Sequence, residues 1–187
     1  MDQGDNAQLI FESLNSNGLA LTEGDKIRNY VLMGLSAQEQ TKYYDTYWAK
    51  IEKCTNNDVS GFIRDYLSIK QQVTPTISNV YKAFKDYAEF ISLPIDALLS
   101  DLLRYARFFE KLITCKSGLK EQKLDDCLYC LKRLEIVVTR PFLMEVLRLH
   151  QDKKLSTEDV LRIFLITENY LFRRNICEVP TNALNKI

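Results

Sequence analysis

Glu12, Asn15, Asp25, Arg28 and Asn29 are the residues whose types and spacing could do chemistry together. Glu12 and Asn15 are three apart on a short helical stretch. Asp25 and Asn29 are four apart on a second, so each pair shares one helix face. Gly18 and Thr22 mark a turn between the two stretches. Carboxylates, amides and a guanidinium gathered at one turn can hydrogen-bond a polar ligand. The free amides at the start of the second helix can accept an anion such as phosphate.

Ordinary helix punctuation explains part of this stretch. Gly18 supplies a left-handed stop to the first helix. Thr22 caps the second, and Asp25 stands at its third position, where a carboxylate returns a bond to the cap backbone. Ile27, Tyr30 and Val31 then face a core. Capping leaves Glu12, Asn15 and Asn29 as the residues it explains least.

Elsewhere the chain excludes more chemistry than it suggests. His150 is the only histidine, so a Ser-His-Asp triad would rest on it alone, and HNH or HExxH metal chemistry has too few histidines. Its place near a helix end suits a C-terminal cation. No GxxxxGK[ST] or GxGxxG loop occurs. Asp125 and Asp126 are adjacent, so on a helix they diverge by about 100°. The five cysteines are an odd number scattered through helical pattern, and they read as reduced thiols in a cytoplasmic protein. Cys127 and Cys130 form a CxxC pair without a second pair or a nearby histidine, which favours packing over zinc. Lys+Arg and Asp+Glu are 25 each, so the chain as a whole is no electrostatic DNA clamp. Arg104, Arg107 and Lys111 share one side of a helix and, with Arg173 and Arg174, are the candidate phosphate or DNA contacts. Solvated faces and helix C-termini also account for all five.

The elements that would hold these residues are helices. Tyr44, Tyr47, Trp48 and Ile51 follow helical spacing, as do Val59, Phe62, Ile63 and Tyr66. Ile95, Leu98, Leu99, Leu102, Ala106, Phe109 and Ile113 extend one stripe along a long helix, which Pro94 suits as a first-turn residue. Leu124, Cys127, Leu128, Leu131 and Leu134 form another stripe, predicted to run to about Val138 before Pro141 interrupts it. Ser36 with Glu39, and Ser156 with Asp159, resemble capping boxes. The segment from about Thr157 to Cys177 is apolar almost all round and is predicted to be the central buried helix. No segment alternates with period two, and no uncharged run reaches the ~20 residues of a membrane span. The fold class expected is an all-α bundle of about eight to ten helices without a substantial sheet. The loop from Gln71 to Ser78 divides residues 1–72 from a larger group at 73–187.

Phe11-Glu12-x-Leu14-Asn15-x-x-Gly18-x-x-Leu21-x-x-x-Asp25-x-Ile27-Arg28-Asn29-Tyr30 resembles a pattern in the amino-terminal domain of GmrSD-type, modification-dependent restriction proteins. Tyr170-Leu171-Phe172-Arg173-Arg174-x-Ile176-Cys177-x-x-Pro180-Thr181-Asn182-x-Leu184-Asn185-Lys186 resembles a second signature that precedes the nuclease part in that family. The resemblance implies a ParB/sulfiredoxin-like domain that hydrolyses nucleoside triphosphates with a divalent metal, followed by an HNH-type nuclease that cuts modified DNA. The D-G-Q-Q-R hallmark of the first and the histidines of the second are missing from this chain. The resemblance thus implies an internal fragment, with Met1 an added start: residues 1–72 as the end of the nucleotide-binding domain and residues 73–187 as a helical connector. On that reading Glu12, Asn15, Gly18, Asp25 and Asn29 border the nucleotide pocket, and the fragment itself has no catalytic residue, metal site or cofactor. Its partners are the NTPase and nuclease parts of the parent chain, and DNA through the parent, with no membrane. The alternative is an α-helical protein–protein interaction module unrelated to nucleases.

Overall fold

The computed structural model describes residues 21–179. Glu12, Asn15 and Gly18, and the tail signature from Pro180 onward, lie outside the described residues. Nine α-helices form among the described residues, with no strand. They are α1 (Glu23–Leu32), α2 (Ala37–Tyr43), α3 (Ala49–Cys54), α4 (Val59–Gln71), α5 (Val80–Ile91), α6 (Ile95–Thr114), α7 (Gln122–Arg133), α8 (Arg140–Gln151) and α9 (Thr157–Ile176). A π-helical turn, Tyr44–Trp48, joins α2 to α3, and short 3-10 turns, Ile77–Asn79 and Val137–Thr139, lead into α5 and α8. No described helix is long and apolar enough to cross a membrane.

Capping fixes where several helices begin. Thr22, Ser36 and Ser156 each accept from the third helical amide, while Asp25, Glu39 and Asp159 return a bond to the cap backbone. These are complete capping boxes, with two otherwise unpaired amides satisfied at each helix start. α5 lacks a side-chain cap of its own. Its Tyr81 amide instead donates to Glu23 Oε2 of α1 at 2.8 Å. A carboxylate from a neighbouring helix thereby meets the positive end of the α5 dipole.

The chain divides into two compact units at Arg104/Tyr105, within α6. In the first unit α1, α4 and α5 pack on one another. Ile27, Ile51, Phe62, Ile63, Leu67, Val80 and Phe84 are fully buried there. The loop expected to divide the chain at 72/73 lies inside this unit, because the helices on either side of it, α4 and α5, pack together. Tyr66 is buried as well, and its phenol donates to Asp101 Oδ2 at 2.7 Å, which also pairs with Lys70 Nζ at 2.8 Å.

In the second unit α9 packs on α7 and α8, around Leu124, Cys127, Leu128, Met144, Val160, Phe164 and Leu171. Two sequence expectations fail here. The helix expected to run to Val138 stops at Arg133. Glu135 takes a left-handed φ of 55°, and Val137–Thr139 forms a 3-10 turn. The β-branched run disfavours helix interior, and Pro141 restarts the helix in the first turn of α8. The segment expected to be the central buried helix is buried on one side only, at Val160, Phe164 and Leu171. Ile166, Tyr170, Phe172 and Ile176 are exposed. α7 and α8 supply partners for one side of α9, and its remaining apolar residues face outward.

Candidate functional site

α1 carries the described half of the polar cluster. Ile27 and Val31 turn into the core, and helical spacing puts Asp25, Arg28 and Asn29 on the other side. Gly24 lets the start of α1 press on the start of α4. A Cβ there would lie 2.9 Å from Val59 Cβ, and the Gly24 amide donates to Ser60 Oγ at 3.0 Å.

Both Asp25 carboxylate oxygens are committed locally. Oδ2 accepts from the Thr22 amide at 3.1 Å and the Thr22 hydroxyl at 2.7 Å. Oδ1 lies 3.3 Å from the Arg28 guanidinium. Arg28 reaches further, placing NH1 3.3 Å from Glu52 Oε1 of α3. Glu52 Oε1 also accepts the Trp48 indole N–H at 2.9 Å, and Oε2 accepts the Tyr44 hydroxyl at 3.0 Å. Glu52 thus gathers a guanidinium, an indole and a phenol. The hydrogen bond from Tyr44, followed by the Glu52 charge, pushes the Tyr44 phenol up from its ordinary value. The π turn makes this possible. Its wider winding, closed by the Ala49 amide on the Tyr44 carbonyl, keeps Tyr44 and Trp48 on the side that Glu52 faces.

Tyr30 completes the described motif. Its ring meets Tyr81 and Phe84 of α5 edge to face, with centroids 6.3 and 6.4 Å away. Burial, then the Glu89 charge, raises its phenol pKa. Asn29 is half-buried and has no side-chain hydrogen-bond partner among the described residues. The geometry therefore separates the motif. Ile27 and Tyr30 pack, Asp25 caps, Arg28 ties α1 to α3, and among these described members Asn29 alone keeps its amide unused. Sequence reasoning missed Glu52, whose only signal is its helical spacing from Tyr44 and Trp48, which it follows by eight and four residues.

The candidate phosphate contacts of the second unit, Arg107, Lys111, Arg173 and Arg174, are not gathered into one patch. Arg104 is half-buried and Arg107 exposed on α6. Lys111 is half-buried, and burial lowers its pKa. It lines a groove with His150, Lys153 and Lys154 beside the start of α9. His150 Nε2 lies 3.2 Å from Thr157 Oγ1, in the last turn of α8 as the sequence suggested. Arg173 stands on the outer face of α9. Arg174 stacks over the Tyr170 ring at 5.5 Å and donates to its hydroxyl at 3.2 Å. An apolar pocket of about 140 Å³ lies between α6, α7 and α8, lined by Leu112, Leu128, Leu131, Val137 and Leu143 among others.

Cys127 is buried and Cys130 exposed, and both are free thiols. Burial, then the Glu168 carboxylate, pushes the Cys127 thiol far up. Such a thiol stays protonated and unreactive at neutral pH. Among the described residues no group of three or more His, Cys, Asp or Glu is placed to hold a metal ion. No family model matches the chain, and neither a curated protein nor a solved structure is found similar to it.

Proposed function

We propose that this chain is the helical, non-catalytic part of a GmrSD-type phage-defence restriction protein. The parent would couple nucleoside triphosphate hydrolysis, with a divalent metal, to cleavage of modified DNA. The observation that carries this reading is the Phe11-to-Tyr30 motif, in which Asn29, in the second half of α1, is half-buried and without a side-chain hydrogen bond among the described residues. On this reading α1 is the rigid edge of the nucleotide pocket. Asn29, with Glu12, Asn15 and Gly18, faces the nucleotide, while Asp25 and Arg28 hold the edge in place.

The test separates these roles in the intact parent. Asn29→Ala and Asn15→Ala are expected to lower nucleotide turnover with little change in thermal stability. Asp25→Ala is expected to lower the melting temperature, because it breaks the capping box and the link to Arg28. Unchanged turnover in both asparagine variants refutes the reading. So does a reading frame lacking both D-G-Q-Q-R upstream and an H-N-H pattern downstream.

A second reading, an α-helical protein–protein interaction module unrelated to nucleases, is favoured by one observation. α9 exposes four large apolar residues, Ile166, Tyr170, Phe172 and Ile176.

A further inference from the structure

The outer face of α9 is self-complementary. Its lining residues fall into pairs placed symmetrically about a point between Leu165 and Ile166. Leu165 and Ile166 flank that point. Leu161 lies as far before it as Tyr170 lies after it. Arg162 is matched in the same way by Asn169, and Glu158 by Arg173.

We infer that the outer face of α9 docks antiparallel on the same face of a second copy of this chain. In such a pair, a residue a given distance before the two-fold axis meets the residue the same distance after it. The apolar residues then meet at the centre. The Glu158 carboxylate of each copy meets the Arg173 guanidinium of the other, about two helical turns to either side of the axis. Parallel pairing in register would instead put Arg162 on Arg162 and Arg173 on Arg173. Charge thus selects the antiparallel arrangement, in which the helix dipoles also oppose favourably.

Three further observations support this occupant. This face lies opposite the stripe of Val160, Phe164 and Leu171 that packs inward, so docking leaves the core untouched. Ile166 is 61% exposed and Tyr170 49%, more apolar surface on one helix than scattered exposure explains. Neither Glu158 nor Arg173 has an ion-pair partner among the described residues, so each is available to a partner. A contact made by one helix is small for a stable dimer, and the expected dissociation constant is in the micromolar range.

The test uses the full 187-residue chain under reducing conditions, since Cys130 and Cys177 are exposed. Sedimentation velocity over roughly 1 to 500 µM should show a reversible monomer–dimer equilibrium. Ile166→Asp, at an exposed position, should keep the helical circular dichroism and weaken the dimer at least about tenfold. Glu158→Arg should weaken it by about tenfold, through repulsion from Arg173, and adding Arg173→Glu should restore it to within about threefold of the starting chain. A chain monomeric over the whole range overturns the inference, whether the face is bare, covered by the chain's own termini or reserved for another protein. A dimer indifferent to Ile166→Asp, or a charge swap that fails to restore association, overturns it equally.

Discussion

Replacing Glu52 by alanine tests the latch between α1 and α3. Three donors lose their acceptor at once: Arg28, Tyr44 and Trp48. Their losses differ. Trp48 is 1% exposed, so its indole N–H is left with little access to water, at about 1–3 kcal/mol. The Tyr44 hydroxyl is only partly covered and can turn to solvent, so it adds little. Arg28 keeps Asp25 and retains 31% of its side-chain exposure, so losing Glu52 costs it at most about 1 kcal/mol. The expected total is about 1–4 kcal/mol. Glu52→Gln keeps a carbonyl oxygen for the indole and should cost about half as much. Trp48 is the only tryptophan, so urea unfolding followed by its fluorescence reads the site directly. The latch also makes a pH prediction. Glu52 raises the folded-state pKa of Tyr44, so the stability tied to that phenol is fully present below the ordinary tyrosine value near 10. It is lost as pH rises through the folded value. The stability gap between the parent chain and Tyr44→Phe should therefore be constant near neutrality and shrink in alkali. A Glu52→Ala midpoint equivalent to less than about 0.5 kcal/mol of change, with unaltered Trp48 emission, would refute the latch.

Gly24→Ala should destabilise by about 1–3 kcal/mol, although alanine is the better helix former, because the new methyl would press on Val59 Cβ from 2.9 Å. A stabilised variant in urea titration would show that α1 and α4 do not approach so closely. The Ser36 and Ser156 hydrogen bonds hold Glu39 and Asp159 below the ordinary carboxylate value, so their contribution is present above about pH 4 and lost as pH falls through the folded values. Ser156→Ala should accordingly lower the melting temperature at pH 7 and matter much less at pH 3. An equal deficit at both pH values in thermal melts would count against the boxes.

Legibility from sequence followed the range over which each signal acts. Capping is local, and all three Ser/Thr boxes read from spacing alone are formed. The stripes through Phe62, Leu99, Leu102 and Leu128 are buried because helical period alone selects a face. Helix ends without a glycine were harder to read. Gln72, Ser92 and Glu135 take left-handed backbone with φ between 46° and 56°, where sequence offers no stop signal. The burial of α9 was misjudged for another reason: an apolar residue declares that it can be buried, and only neighbouring helices decide whether it is. Glu52 was hidden because its partners come from a π turn and from α1, 24 residues away, at Arg28.

The described half of the Phe11-to-Tyr30 motif shows how a dense polar signature can be mostly a folding instruction. Asp25 spends its two oxygens on a cap and a guanidinium, and Arg28 spends that guanidinium on holding α3. Ile27 and Tyr30 are packing residues. Such residues fix the position of α1 against α3, α4 and α5. Among the described members of the motif, Asn29 is the one whose side chain neither caps, pairs nor packs into the core. The same division applies to α9, where Val160, Phe164 and Leu171 settle the fold, while Glu158, Ile166 and Arg173 stay outside the core and can be changed in the dimerisation test without disturbing it.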